Sequence, residues 1–201
     1  MKKLIAGVLS FLAVGVALFF VLGPPALERS MNRVLEHDPF ALTARERAFH
    51  DELIIADLHA DTTLWSRDLR KRADQGHVDL PRLREGNVAL QVFTFVTRTP
   101  AGMNYESNDS DARDNITLLA LVQRWPLATL GSLTERAVYQ AERLTQIAQK
   151  RPEELFLVRS ATDVATLLEQ RSRGADTVGA VFGIEGAHAL DGSLANLDIL
   201  F

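Results

Sequence analysis

Two short segments of the sequence carry side chains that can bind a metal ion. The first is Asp57-Leu58-His59-Ala60-Asp61, which directly follows the apolar run Leu53–Ala56. Alternate residues of a strand share a face, so His59 and Asp61 can point the same way at the C-terminal end of a strand. An imidazole nitrogen and a carboxylate oxygen suit a divalent cation such as zinc. The alternative is a polar strand end in which Asp61 caps the next helix.

The second segment is Gly183-Ile184-Glu185-Gly186-Ala187-His188, at the end of another apolar run. Glu185 is flanked by glycines, which let the backbone approach its neighbours closely. A carboxylate has two oxygens and can bridge two ions, as in two-metal hydrolases. The alternative is a glutamate that caps the following helix. Two carboxylate-bearing strand ends in one chain predict a metal centre at the C-terminal edge of a sheet, where parallel α/β barrels have their active sites.

Along the chain, apolar runs alternate with helical patterns. This alternation predicts a parallel α/β sheet, whose strands would position the candidate ligands. Asp79 is expected to cap a helix that ends near Gly86, and Ser160 to cap another through a near capping box with Asp163. The predicted strands are Leu53–Ala56, Asn87–Val96, Leu155–Val158 and Thr177–Ile184, and three further helices are predicted from Thr43 to about Asp51, from Asp111 to Trp125 and from Leu133 to Lys150.

The first 25 residues form a separate segment. Lys2 and Lys3 precede an uncharged apolar run, Leu4–Leu22, which is closed by Gly23-Pro24-Pro25. As a helix this run reaches roughly 28 Å, about the thickness of the hydrocarbon core of a bilayer. The lysines favour a cytoplasmic N-terminus, so the remainder is expected outside the cytoplasm. We predict an uncleaved membrane anchor; the alternative is a cleaved signal peptide, although no A-x-A site follows the run.

The composition excludes several classes of protein. The 201 residues are 47% hydrophobic and 24% charged, with a formal net charge of −4, which is typical of a globular chain. The acidic balance and the lack of a Lys/Arg cluster argue against nucleic acid as a partner. The chain has no cysteine, which excludes disulfides, a cysteine zinc site, a thiol nucleophile and a lipid-modified cysteine anchor.

Five segments follow one another along the chain: Asp57–Asp61, His77–Gly86, Leu157–Asp163, Gly183–Leu190 and Ser193–Leu197. In their residues and their order they resemble the membrane (renal) dipeptidase family of zinc-dependent metallopeptidases. The resemblance implies a (β/α)8 TIM-type barrel with two zinc ions, in which His59 and Asp61 hold one ion. It also implies that Glu185 bridges both ions and is catalytic, with metal-activated water attacking a dipeptide carbonyl. The resemblance spans about Glu52 to Phe201.

The sequence departs from the family pattern beside the first strand. The family has Asp-Gly-His-Asn-Asp-Leu-Pro where this chain has Asp57-Leu58-His59-Ala60-Asp61-Thr62-Thr63. The ligand pair is kept, and we expect the neighbouring wall of the pocket to differ. The two histidines that the family uses for a second zinc have no counterpart among these residues, so we expect the 201-residue chain to be inactive alone.

Two further residues are candidates for supporting the metal ligands. Asp57 shares the face of His59 and can accept a hydrogen bond from a ligand, with a plain structural role as the alternative. His188 lies one turn after Glu185, and its alternative role is a hydrogen bond within a loop. Gln91 is predicted to be a core-facing amide.

We therefore expect three regions: a membrane anchor or signal segment at 1–25, a linker and entry helix at 26–51, and the N-terminal portion of a metallodipeptidase barrel at 52–201. A closed eight-stranded barrel usually needs ~250 residues, so we expect an incomplete barrel with its first three or four strands. The last residues, Ser193–Phe201, are predicted to form an amphipathic helix with no stop signal.

The expected function is zinc-dependent hydrolysis of dipeptides by an exported, single-pass membrane enzyme whose globular part is periplasmic or extracellular. The expected partners are dipeptide substrates, the membrane and a second copy of the chain in a homodimer, and no nucleic acid. One alternative is a related barrel hydrolase that cleaves another amide, such as a β-lactam ring, because one fold hosts many chemistries. The other is a non-catalytic, membrane-tethered protein.

Overall fold

The computed structural model describes all 201 residues, Met1–Phe201. A long N-terminal helix, α1 (Lys2–Met31), precedes a body that contains six shorter helices and four strands. The shorter helices are α2 (Ala44–Asp51), α3 (Leu80–Glu85), α4 (Asn115–Val122), α5 (Leu133–Lys150), α6 (Ala161–Ser172) and α7 (Leu197–Leu200). The strands are β1 (Ile55–Ala60), β2 (Val88–Val96), β3 (Leu155–Leu157) and β4 (Val178–Glu185).

The four strands form one parallel sheet in the order β1-β2-β4-β3. β2 and β4 pair along most of their length, from Leu90 opposite Gly179 to Val96 opposite Glu185. Because the strands are parallel, β1, β2 and β4 end at the same edge of the sheet. A parallel α/β sheet that follows an apolar N-terminal helix along the chain confirms the predicted fold class. It is consistent with an incomplete (β/α)8 barrel.

A core of twelve buried residues joins α3, α5 and the sheet, with Phe93 and Leu144 among its fully buried members. A second core of seven residues lies under α4 and contains both tryptophans, Trp65 and Trp125. Burial of such apolar surface is the main favourable contribution to folding. The two cores therefore hold β2 in place on either side, and β2 is the strand between the two metal-binding segments.

The predicted helix caps are confirmed. Thr43 and Glu46 form a reciprocal capping box at the start of α2. The Asp79 side chain accepts a hydrogen bond from Arg82 N–H at 3.0 Å, and α3 ends at Glu85 with Gly86 after it. Ser160 accepts from Asp163 N–H at 3.2 Å and caps α6. Short polar side chains determine where each helix begins, because they accept hydrogen bonds from the free N–H groups of its first turn.

The first strand differs from the prediction. The sequence predicts it at Leu53–Ala56, whereas β1 runs from Ile55 to Ala60 and includes His59. Leu53 and Ile54 are 38% and 71% exposed. Both residues precede β1, which lies at an edge of the sheet and pairs with β2 alone.

The long N-terminal helix extends beyond the apolar run. The run ends before Gly23-Pro24-Pro25, and α1 continues through both prolines to Met31. The predicted boundary between residues 25 and 26 therefore falls inside a helix. The physical reason is tertiary: Glu28, in the turns beyond the prolines, is 6% exposed and forms an ion pair with Arg67 of the body.

Two other helices are shorter than predicted. α4 begins at Asn115 rather than Asp111, because the Asp114 carboxylate accepts hydrogen bonds from the N–H groups of Ile116 and Thr117. The amphipathic helix expected over Ser193–Phe201 is a 3-10 turn followed by the four-residue α7. Leu200 of this segment packs against the main core, whereas Leu194, Leu197 and Phe201 are exposed.

Candidate metal centre

Three predicted metal-binding side chains meet at the C-terminal edge of the sheet. Asp61 directly follows β1, and Glu185 is the last residue of β4. Ligand atoms of His59, Asp61 and Glu185 all lie within 4.8 Å of one another. His59 Nε2 is 3.2 Å from Asp61 Oδ1. Residues more than 120 positions apart in the sequence are therefore brought together by the pairing of both strands with β2.

The Asp61 carboxylate is oriented by a residue that the sequence analysis missed. The Thr94 hydroxyl, on β2, donates a hydrogen bond to Asp61 Oδ1. Thr94 is 6% exposed, so this hydroxyl has little access to water. Its signal in the sequence was weak: Thr94 is one of two polar residues in the otherwise apolar strand Val88–Val96. The other is Gln91, whose predicted core-facing position is confirmed, since it is fully buried and donates to Val92 O at 3.0 Å.

Two glycines allow Glu185 to occupy its position at the end of β4. A Cβ built on Gly183 would lie 3.2 Å from Val92 Cγ1 and 3.3 Å from Thr94 Cγ2, so a larger residue would push β4 away from β2. Gly186 has a φ of +75°, a conformation that favours glycine. The chain therefore turns sharply just after Glu185 and leaves its carboxylate exposed at the sheet edge.

The two supporting candidates, Asp57 and His188, lie outside this group of three. Asp57 Oδ1 accepts a hydrogen bond at 3.0 Å from the backbone N–H of His59, not from its imidazole. It therefore acts on the backbone that carries His59. His188 is exposed, and its Nδ1 lies 3.0 Å from a Cβ built on Gly186. Its ring rests over the turn after β4.

The donor set fits a zinc ion. Two ligand atoms about 2.1 Å from a tetrahedral zinc lie about 3.4 Å apart, close to the separation of the His59 and Asp61 atoms. One imidazole and two carboxylates provide three protein ligands and leave a fourth position for water or substrate, as in catalytic zinc sites. The side chains of His59 and Asp61 are 56% and 40% exposed, so a substrate can reach them.

Fold and site together define an α/β protein with a candidate metal centre at the C-terminal edge of a parallel sheet, the layout of metal-dependent hydrolases on barrel folds. The family model described as membrane dipeptidase (peptidase family M19) matches residues 43–201, and the chain belongs to this family. No curated protein matches the chain. The family confirms the resemblance drawn from the motifs and supports a metallopeptidase activity. The matched region begins at Thr43, the residue that caps α2, and does not include α1.

Replacing Thr94 by valine is expected to weaken zinc binding about tenfold, the lower end of the range for losing a hydrogen-bond partner of a metal ligand. Valine keeps the shape of threonine but cannot donate to Asp61, so the carboxylate loses its fixed orientation. Zinc affinity is measured by competition with a chromophoric chelator.

Thr97→Val is the matched control. Thr97 is fully buried and its hydroxyl has no hydrogen-bond partner, so its loss removes no contact near the metal centre. Equal zinc affinities of Thr94→Val, Thr97→Val and the wild type would show that Thr94 does not orient Asp61.

Proposed function

We propose that this protein takes part in zinc-dependent hydrolysis of dipeptides as a membrane-anchored, exported metallodipeptidase. The observation that carries the proposal is the meeting of His59, Asp61 and Glu185 at the C-terminal edge of the sheet. They lie within the region that matches the membrane dipeptidase family. A nitrogen and two carboxylates converge there in a solvent-accessible position, which suits metal-assisted hydrolysis better than a structural role.

His59, Asp61 and Glu185 would hold the zinc, and Glu185 would also contribute to binding a second ion. When bound, zinc lowers the pKa of water and polarises the carbonyl of the scissile amide. Neighbouring residues hold the ligands in place: the Thr94 hydroxyl donates to the Asp61 carboxylate, and the Asp57 carboxylate accepts from the backbone N–H of His59. Such pre-organised partners reduce the cost of arranging ligands at the moment of reaction.

We further propose that the 201-residue chain has no turnover by itself. Among its residues, His59, Asp61 and Glu185 are the one group of three or more histidines and acids that can hold a metal ion. These three ligands serve one zinc, whereas the family resemblance implies two.

The membrane anchor is part of the proposal. α1 has a mean hydropathy of 2.7 over its most apolar stretch, and none of that stretch is buried within the protein. A bare apolar surface of this length is stable in a bilayer and costly in water. With Lys2 and Lys3 on the cytoplasmic side, the metal centre would lie outside the cytoplasm.

The activity is tested on the protein that the complete gene encodes. We expect hydrolysis of unblocked dipeptides that stops when a chelator removes the metal and returns when zinc is added back. A tripeptide and a β-lactam serve as comparison substrates. Cleavage of the β-lactam without cleavage of any dipeptide would contradict the proposed substrate, and metal-independent cleavage would contradict the proposed site.

A further inference from the structure

We propose that the C-terminal end of α4 and the turn after it form a second contact with the membrane that holds α1. This surface, the α4 end, consists of Leu121, Arg124 and Leu127. Its partner is the headgroup region of the phospholipid leaflet from which α1 emerges. The inference rests on the proposed membrane anchor and adds to it an orientation of the body relative to the bilayer.

The last turns of α1 are joined rigidly to the body. Glu28 Oε1 lies 3.3 Å from Arg67 Nη1, and the two side chains are 8% and 10% exposed. Just beyond α1, Gly76 N–H donates to Asn32 O at 2.8 Å. A buried ion pair is costly to break, because each charge would be left without its partner away from water. The body therefore cannot swing freely about the point where α1 leaves the membrane.

The α4 end lies at the level where α1 leaves the hydrocarbon. Gly23 directly follows Leu22, the last residue of the apolar run. A Cβ built on Gly23 would lie 3.5 Å from Val122 Cγ1, so α1 passes close to the last residue of α4 at this point. The residues around Val122 are therefore held beside the boundary between hydrocarbon and headgroups.

The side chains of the α4 end suit that boundary. Leu121 is 44% exposed and Leu127 is 82% exposed, although each would gain by leaving water. α4 itself, Asn115–Val122, contains no charged residue. Arg124 follows it, is exposed, and has a left-handed φ of 58° that ends the helix. Leucines that enter the acyl boundary beside a guanidinium that reaches phosphates are the pattern of an interfacial contact.

A protein partner can also cover exposed leucines, but the position of this surface favours lipid. It neighbours Val122, which lies close to Gly23, just after the apolar run of α1 that already requires a bilayer. A bilayer around Leu4–Leu22 has its headgroups beside Gly23 and hence beside Val122.

The absence of cysteine from the chain allows a direct test with single-cysteine variants. Leu121→Cys and Leu127→Cys are labelled with a polarity-sensitive fluorophore, and the full chain is reconstituted in phosphatidylethanolamine–phosphatidylglycerol vesicles. Leu12→Cys, inside the apolar run, reports insertion of α1. Leu168→Cys, a 37% exposed leucine of α6, is the solvent reference. Nitroxide-labelled lipids then quench any fluorophore that lies in the bilayer or at its surface.

We expect lipid quenching and a blue-shifted emission at positions 12, 121 and 127, and neither at position 168. Quenching at position 12 alone would overturn the α4 contact and leave the anchor intact. A blue shift at positions 121 and 127 without lipid quenching would mean that protein covers this surface, which also overturns the proposal. No quenching at position 12 would reject the anchor and the α4 contact together.

Discussion

In the protein that the complete gene encodes, Glu185→Gln is expected to lower the zinc affinity at least about 100-fold, since even a lost hydrogen-bond partner of a ligand costs 10–100-fold. Turnover should fall at least as far. Glutamine keeps the size of glutamate but has no charge and one acceptor oxygen, so it cannot balance two cations. Bound zinc is measured by metal analysis after gel filtration, and turnover by dipeptide hydrolysis at saturating substrate.

His188→Ala is the control for this substitution. His188 is three residues away, is also exposed to solvent, and lies outside the group of three candidate ligands. It should keep its zinc and most of its turnover. If Glu185→Gln retains the wild-type zinc content and turnover, or if His188→Ala loses both, the assignment of Glu185 as the shared ligand is wrong.

The second large effect is expected at the ion pair between Asp114, which precedes α4, and Arg136 of α5. Asp114 Oδ2 lies 2.6 Å from Arg136 Nη1, and the two side chains are 15% and 2% exposed. Arg136 also donates to Thr97 O at 2.6 Å, which connects the chain just after β2 to α5. Asp114→Asn leaves the Arg136 charge buried without a counterion, so we expect the free energy of unfolding to fall by about 3 kcal/mol at neutral pH. Urea unfolding in detergent micelles, followed by tryptophan fluorescence, measures this loss.

The same carboxylate predicts a dependence of stability on pH. Burial raises the pKa of Asp114, but hydrogen bonds from Thr99 N–H, Arg136 and Thr117 outweigh it and bring the pKa from 3.8 to about 2. Because the folded pKa is the lower one, the stabilisation is complete above the unfolded pKa and is lost as the pH falls from about 4 to about 2. The difference corresponds to about 2 kcal/mol. The Asp114→Asn variant should lack this part of the acid destabilisation.

Asp111→Asn is the matched control, because Asp111 lies in the same loop and is exposed. It should keep both the stability and the acid profile of the wild type. Equal acid profiles of Asp114→Asn and the wild type would contradict the low pKa of Asp114. Both tryptophans, Trp65 and Trp125, lie in the core beside α4, so the fluorescence signal reports on the region that is changed.

Local features of this protein are readable from its sequence. The caps Thr43, Asp79 and Ser160 act within one helical turn, so their residue types predict where three helices begin. The amphipathic pattern of α5 likewise predicts its bounds, Leu133 to Lys150. The residue types and strand-end positions of His59, Asp61 and Glu185 were sufficient to propose them as ligands, because strand periodicity and strand ends are local properties too.

Only the tertiary structure decided how these segments meet. β2 pairs with β1 on one side and β4 on the other, and this places Thr94 against Asp61, a contact between residues 33 positions apart. The continuation of α1 through Pro24 and Pro25 likewise depends on Arg67, which lies far along the chain from Glu28. The exposure of Ile54, just before β1, depends on what packs against this edge of the sheet, since an apolar residue is buried only where another element covers it. Local spacing limits the conformations of a segment, whereas contacts between distant segments select among them.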